Sequence, residues 1–174
     1  AKGNDLRCTY TNTANKPELM VKKEAFAAPG NTPANLLPWG TAVVAASTVY
    51  YRVTFDNSQG TAPMSVGYTD YLGDVLDDAS FNTGSLRYGD GAETGYAGAS
   101  TSPHSVTVTD QHSASIPTLV FGGTVPARAI RTVWFSVTTF ANDHEAATRT
   151  EGFPRGSGVT NEPNRVGYAL NNYL

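Results

Sequence analysis

Along residues 48–55, Val49, Tyr51, Val53 and Phe55 fall on one face of an extended chain, and Thr48, Tyr50, Arg52 and Thr54 on the other. A period of two marks a β-strand with two different surroundings, and β-branched and aromatic side chains suit a pleated surface. Related patterns recur at 18–23, 64–71, 105–109, 118–121, 129–140 and 164–170, with turn chemistry such as Asp56-Asn57-Ser58-Gln59-Gly60 between them. The long segment at 129–140 places Ile130, Thr132, Trp134, Ser136 and Thr138 opposite Arg131, Val133, Phe135, Val137 and Thr139. It therefore reads as a strand covered on both faces. With 22 Thr, 17 Gly, 10 Pro and only 16% charged residues, the composition is that of short strands joined by turns, and no long helix is predicted. The expected fold is all-β: an immunoglobulin-like antiparallel β-sandwich of about eight strands. A long irregular loop follows residue 79, and an open barrel is the alternative. One or two helical turns are expected within 141–150.

Other features exclude function classes. A net charge of −3 with scattered Lys and Arg offers no footprint for nucleic acid. The longest apolar-looking stretch, 41–49, is too short to cross a bilayer, and the N-terminus lacks a signal-peptide pattern. A single cysteine, Cys8, permits neither an internal disulfide nor a cysteine-based metal site. The first 16 residues read as the end of a preceding module or a linker, and 17–174 as the module itself. The chain is thus expected to be a piece of a longer polypeptide.

Three polar residues stand on faces that are otherwise apolar. Lys23 shares a face with Leu19 and Val21, Asp70 with Val66 and Tyr68, and Asn164 with Val166, Tyr168 and Leu170. Several longer runs carry a resemblance. They are Cys8-Thr9-Tyr10-Thr11-Asn12-Thr13 followed by Pro17-Glu18-Leu19-Met20-Val21-Lys22-Lys23; Val49 to Asn57 with Tyr68-Thr69-Asp70-Tyr71-Leu72 and Asp74-Val75-Leu76-Asp77-Asp78-Ala79-Ser80-Phe81; and Gly123 to Ala129 leading into Trp134-Phe135-Ser136-Val137. Together they resemble the repeat modules of Gram-positive, actinobacterial-type, cell-wall-anchored adhesins and pilins. Modules of that kind carry a self-formed isopeptide bond between a lysine on the first strand and an asparagine on the last, assisted by an acid on a middle strand. The resemblance implies a cross-link between Lys23 and Asn164 with Asp70 as the assisting acid. It also implies an extracellular, cell-wall-attached setting, a monomeric module whose partners are its neighbours in the same polypeptide, no cofactor, and no enzymatic activity beyond the single self-cross-linking turnover. Lys22 and the asparagines Asn161, Asn171 and Asn172 are the competing choices.

The chemistry sets physical conditions. A lysine attacks an amide only as the neutral amine, which burial favours, and burial likewise keeps an aspartic acid protonated. That acid can hydrogen-bond the amide carbonyl and pass its proton to departing ammonia. Outside this trio the signals are weak. Asp74, Asp77, Asp78 and Asp90 lack the spacing of a calcium loop, and His104, His112 and His144 have no metal-ligand spacing. Gly156-Ser157-Gly158 lacks the flanks of a nucleophile elbow. The alternative reading is a β-sandwich module without a cross-link that binds a host or environmental glycan or protein. Its contact surface would be the loop at 79–103, where Tyr88 and Tyr96 are the aromatic candidates.

Overall fold

The alternating segments become strands wherever the computed structural model describes them, namely over residues 19–38, 41, 43–76, 79–110 and 118–140. In chain order the strands are β1 (Met20–Phe26), β2 (Leu36–Leu37), β3 (Thr48–Asp56), β4 (Met64–Tyr71), β5 (Ala79–Phe81), β6 (Arg87–Gly89), β7 (Val106–Asp110), β8 (Thr118–Val125) and β9 (Ile130–Thr139). One helical turn, α1 (Gly73–Leu76), joins β4 to β5. All pairings are antiparallel. One sheet runs β2-β1-β3-β9-β5, with β6 also on β9, and the other runs β4-β8-β7. The fold is the antiparallel β-sandwich that the alternation predicts.

The shared core follows from the period of two. From the larger sheet, Val49, Tyr51, Val53 and Phe55 of β3 and Val133, Phe135 and Val137 of β9 enter the interior. They meet Val66 of β4, Val106 of β7 and Leu119, Phe121 and Val125 of β8, while Leu72 and Val75 around α1 close one end. Phe55 packs on Phe121 with ring centroids 5.6 Å apart. Each such fully buried large side chain is worth about 1.5–3 kcal/mol of transfer free energy.

Strand β9 is covered on both faces, as its sequence predicts. Its outward face carries Trp134, fully buried against Phe26 at 5.3 Å between ring centroids. The Arg52 guanidinium lies 5.2 Å from the Phe26 ring centroid and 5.3 Å from that of Trp134, while its Nη2 donates to Glu24 Oε2 at 2.7 Å.

The region expected as one long loop is more ordered than its Gly-Ser-Thr content suggests. Ala79 pairs with Thr139, and Arg87 with Trp134, so β5 and β6 form one broken edge strand along β9. Asn82 and Ser85 hold the break: the Asn82 amide donates to Ser136 Oγ at 2.9 Å, and Ser136 N donates to Ser85 Oγ at 3.1 Å. Beyond β6 the chain folds over the outer face. Gly95 adopts φ 137° there, and a side chain at that position would strike the Pro29 carbonyl, so a residue without Cβ is required. The expected strand at 164–170, the turns at 141–150, the segment 1–16 with Cys8, and Gly156-Ser157-Gly158 lie outside the described residues.

Candidate functional site

Strand β1 presents its odd-numbered residues to the interior because it pairs with β3 in the register that sets Lys23 opposite Val53 and Ala25 opposite Tyr51. The Lys23 side chain is 8% exposed, and Asp70, arriving from β4 in the opposite sheet, is fully buried. Lys23 Nζ donates to Asp70 Oδ2. Two of the three intruders that the sequence singles out therefore meet across the core.

The walls of the site are aromatic. Lys23 Nζ lies 5.2 Å from the Tyr51 ring centroid and 5.4 Å from that of Phe135. Those two rings are stacked, 5.0 Å apart at 19°, and Phe81 extends the stack 5.9 Å beyond Phe135. Removal from water pulls the Lys23 ammonium down from 10.5 to about 8, against the opposing pull of the Asp70 charge and hydrogen bond. Burial first, and then the Asp70 charge, push the Tyr51 phenol well above its usual range.

Lys22, one residue away, behaves as the alternation requires of the opposite face. Its side chain is 69% exposed and its Nζ reaches Glu24 Oε1 at 2.7 Å. The register thus separates the two adjacent lysines: Lys23 is enclosed with an acid, and Lys22 is solvated. Asn164, Asn161, Asn171 and Asn172 lie outside the described residues. Every asparagine among the described residues commits its amide elsewhere: Asn31 to Glu93 O, Asn35 to Gly30 O, Asn57 to three carbonyls and Asn82 to Ser136.

The family model described as Domain of unknown function (DUF7927) matches residues 37–164, most of the chain. The chain belongs to the DUF7927 family. Within this DUF7927 domain the matched span includes Asp70 and ends at Asn164, whereas Lys23 precedes it. No curated protein and no solved structure matches the chain.

Of the remaining candidates of the DUF7927 domain, Asp90 has a structural task. Asp90 is exposed, and its Oδ1 accepts from Ala92 N at 3.1 Å, a turn cap. Asp77, Asp78, His112 and His144 lie outside the described residues, and His104 is exposed. Among the described residues no group of three or more His, Cys, Asp or Glu could hold a metal ion. The expectation of a tyrosine surface around residues 88 and 96 is corrected. Tyr88 is buried, because its register opposite Val133 directs it into the core. Tyr96 lies between the Tyr50 ring, at 5.0 Å, and the Arg87 guanidinium, at 5.2 Å.

Sequence reasoning missed Glu93. Its Oε1 accepts from Thr132 Oγ1 and from Trp134 Nε1, the latter at 3.1 Å, and its Oε2 accepts from Gly91 N at 2.8 Å. It also missed the aromatic lining, although Tyr51 already stood on the apolar face of its strand and its hydroxyl was the available signal.

Proposed function

We propose that this module is a load-bearing element of a bacterial cell-surface protein, closed by an intramolecular amide bond between Lys23 and Asn164 that Asp70 helps to form. The observation that carries this reading is the enclosed Lys23–Asp70 pair between the sheets. A buried ion pair is a poor source of net stability. The same pair suits a reaction that needs a neutral amine next to a proton donor.

Transfer of one proton from the Lys23 ammonium to Asp70 yields an amine and a carboxylic acid without creating net charge in the core. The acid donates to the carbonyl oxygen of the Asn164 amide, and the amine nitrogen bonds to the carbonyl carbon. Having given its proton to that oxygen, Asp70 as the carboxylate takes one from the attacking nitrogen and hands it to the departing amide nitrogen, and the oxygen returns its proton to the carboxylate as the C=O re-forms and ammonia leaves. Lysine amine plus asparagine amide thus become one secondary amide plus ammonia, with the acid regenerated. Held in contact, such groups reach effective molarities on the order of 10⁵ M or more, enough for a single unassisted turnover.

The bond would close a loop of about 140 residues and, on the chain-entropy model used for disulfides, add about 5 kcal/mol. It would also carry tension directly between the first and last strands. The surface setting is supported by the resemblance of residues 49–57, 68–72 and 74–81 to cell-wall-anchored modules.

The test is the intact mass of the denatured chain, which the bond leaves about 17 Da light, a covalent change that unfolding does not reverse. Peptide mapping should then place the link between the peptides holding Lys23 and Asn164. An unshifted mass overturns the cross-link and leaves a plain sandwich module.

A further inference from the structure

Asp90-Gly91 is the one place in the chain where an aspartate or asparagine precedes a glycine. Both residues are exposed, in the turn that leaves β6. A glycine carries no Cβ to shield its nitrogen, so an Asp-Gly pair closes to a cyclic imide more readily than an aspartate before any other residue. Closure needs the Gly91 nitrogen to give up its proton and bond to the Asp90 carboxyl carbon. The carboxyl group is already folded back on the chain, because Asp90 Oδ1 accepts from Ala92 N at 3.1 Å. What the nitrogen lacks is freedom. Its N–H donates to Glu93 Oε2 at 2.8 Å, and Glu93 is held there by Thr132 Oγ1 and Trp134 Nε1, which both donate to its Oε1. Stripping the proton from Gly91 N would set a negative nitrogen against that carboxylate. Glu93 is half-buried, and like charges repel more strongly there than in open water.

We infer that Asp90-Gly91 is a latent site of isoaspartate formation, held in check by the hydrogen bond from Gly91 N–H to Glu93. Neither residue of the pair takes part in the proposed cross-link. When the hydrogen bond is absent, Gly91 N loses its proton to solvent base and bonds to Cγ of Asp90 in its acid form. The Cγ–OH bond breaks, the base returns the proton to the departing hydroxyl, and one water leaves. Water then adds to either carbonyl of the imide. Addition at Cγ restores aspartate. Addition at the main-chain carbonyl breaks its bond to Gly91 N, so the chain runs through the side-chain carbon, one atom longer, and a new carboxylate hangs from Cα. Water is the only reagent. The turn is tight: Gly91 adopts φ 90°, and even a Cβ on it would lie 2.9 Å from Ile130 Cγ2. The longer chain should therefore displace Glu93 from Thr132 and Trp134.

The test stores the native chain, Glu93→Gln, Thr132→Val and a free peptide of residues 88–94 in the same warm neutral buffer. Isoaspartate is counted over time with an isoaspartate-specific methyltransferase and placed at position 90 by fragmentation mass spectrometry. In Glu93→Gln the amide oxygen can still serve Thr132 and Trp134, but the NH2 group then faces Gly91 N–H, so the restraint is lost while the cover stays. Thr132→Val weakens the seat of Glu93 and leaves its contact with Gly91. The expected result is slow isomerisation in the native chain and in Thr132→Val, a rate about 10- to 100-fold higher in Glu93→Gln, and a peptide faster than the native chain. A native chain that isomerises as fast as the peptide overturns the proposal, and so does Glu93→Gln at the native rate. Thr132→Val as fast as Glu93→Gln also overturns it, since general loosening of the turn would then set the rate. Should Glu93→Gln fail to fold, Glu93→Asp, too short to hold Gly91 and Trp134 together, takes its place: a faster reaction supports the restraint, and the native rate overturns it.

Discussion

Lys23 and Asp70 approach each other from different sheets, one on the first strand of the larger sheet and the other on β4 of the smaller, and both are shut away from water. Forty-seven residues separate them in the chain, so the contact is purely tertiary. It ties the two layers of the sandwich at the level of the Tyr51–Phe135 stack.

The adjacent lysines should respond in opposite ways to truncation. Lys23→Ala leaves Asp70 buried without its cation, which typically costs about 3–5 kcal/mol, and it should abolish the mass deficit. Lys22→Ala removes an exposed pair with Glu24 worth less than about 1 kcal/mol. Urea unfolding and intact mass of both variants check this, and equal losses would contradict the register of β1.

Asp70→Asn keeps the shape of the side chain but removes the proton shuttle. Formation of the bond should slow by about 10²–10⁴, the usual worth of a positioned acid–base group. A time course of intact mass after synthesis measures it, and bond formation at the native rate would remove Asp70 from the reaction.

The unlinked protein should have a distinctive alkaline profile. In Asn164→Ala the lysine remains free, with a folded value of about 8 against 10.5 when unfolded. Between those values the unfolded state binds more protons, so stability rises with pH. The penalty for burying the ammonium is fully present below about 8 and is relieved as pH climbs toward 10.5. Urea midpoints across that window should increase for Asn164→Ala and stay flatter for Lys23→Met/Asn164→Ala.

Asn57 should prove to be a structural keystone rather than a turn residue. It is fully buried, and its Nδ2 donates to the carbonyls of Ala62, Val125 and Pro126 at 2.9, 3.2 and 3.0 Å. Asn57→Ala strands those carbonyls, with a cost of about 1–3 kcal/mol for each group left buried and unsatisfied. Asn57→Asp should cost more at neutral pH, since a carboxylate would face the same acceptors. Gly60→Ala should also destabilise, because its Cβ would overlap the Asn57 side chain. Denaturant titrations of the three variants provide the comparison.

Glu93→Ala should loosen the cover over the outer face of β9. The carboxylate anchors Thr132, Trp134 and the Gly91 amide, and its loss should destabilise by about 1–3 kcal/mol. In a Trp39→Phe background, Trp134 fluorescence should shift to the red and become more accessible to acrylamide. Unchanged emission would show that the cover does not depend on Glu93.

The strands and their faces were legible in the sequence because side-chain alternation is a local property. A chain extended over 48–55 must send Val49, Tyr51, Val53 and Phe55 to one side wherever that strand sits, and they are the residues found in the core. The same locality marked Lys23 and Asp70 as polar residues bound for an interior. What it could not carry was partnership. Whether Lys23 meets Asp70, and whether Tyr51 rather than another ring borders them, depends on β1 pairing with β3 and on the smaller sheet lying across both, contacts between residues far apart in the chain. Glu93 and Asn57 were illegible for the same reason. Each lies in a run of turn-forming residues, and each is engaged only because a distant strand brings its donors or acceptors to it. The amino-acid pattern by itself determined which residues must leave water, since that choice is made by each segment alone. The tertiary structure decided which of them meet, since hydrogen bonds and charge pairs in a sandwich are made between strands that only packing brings together.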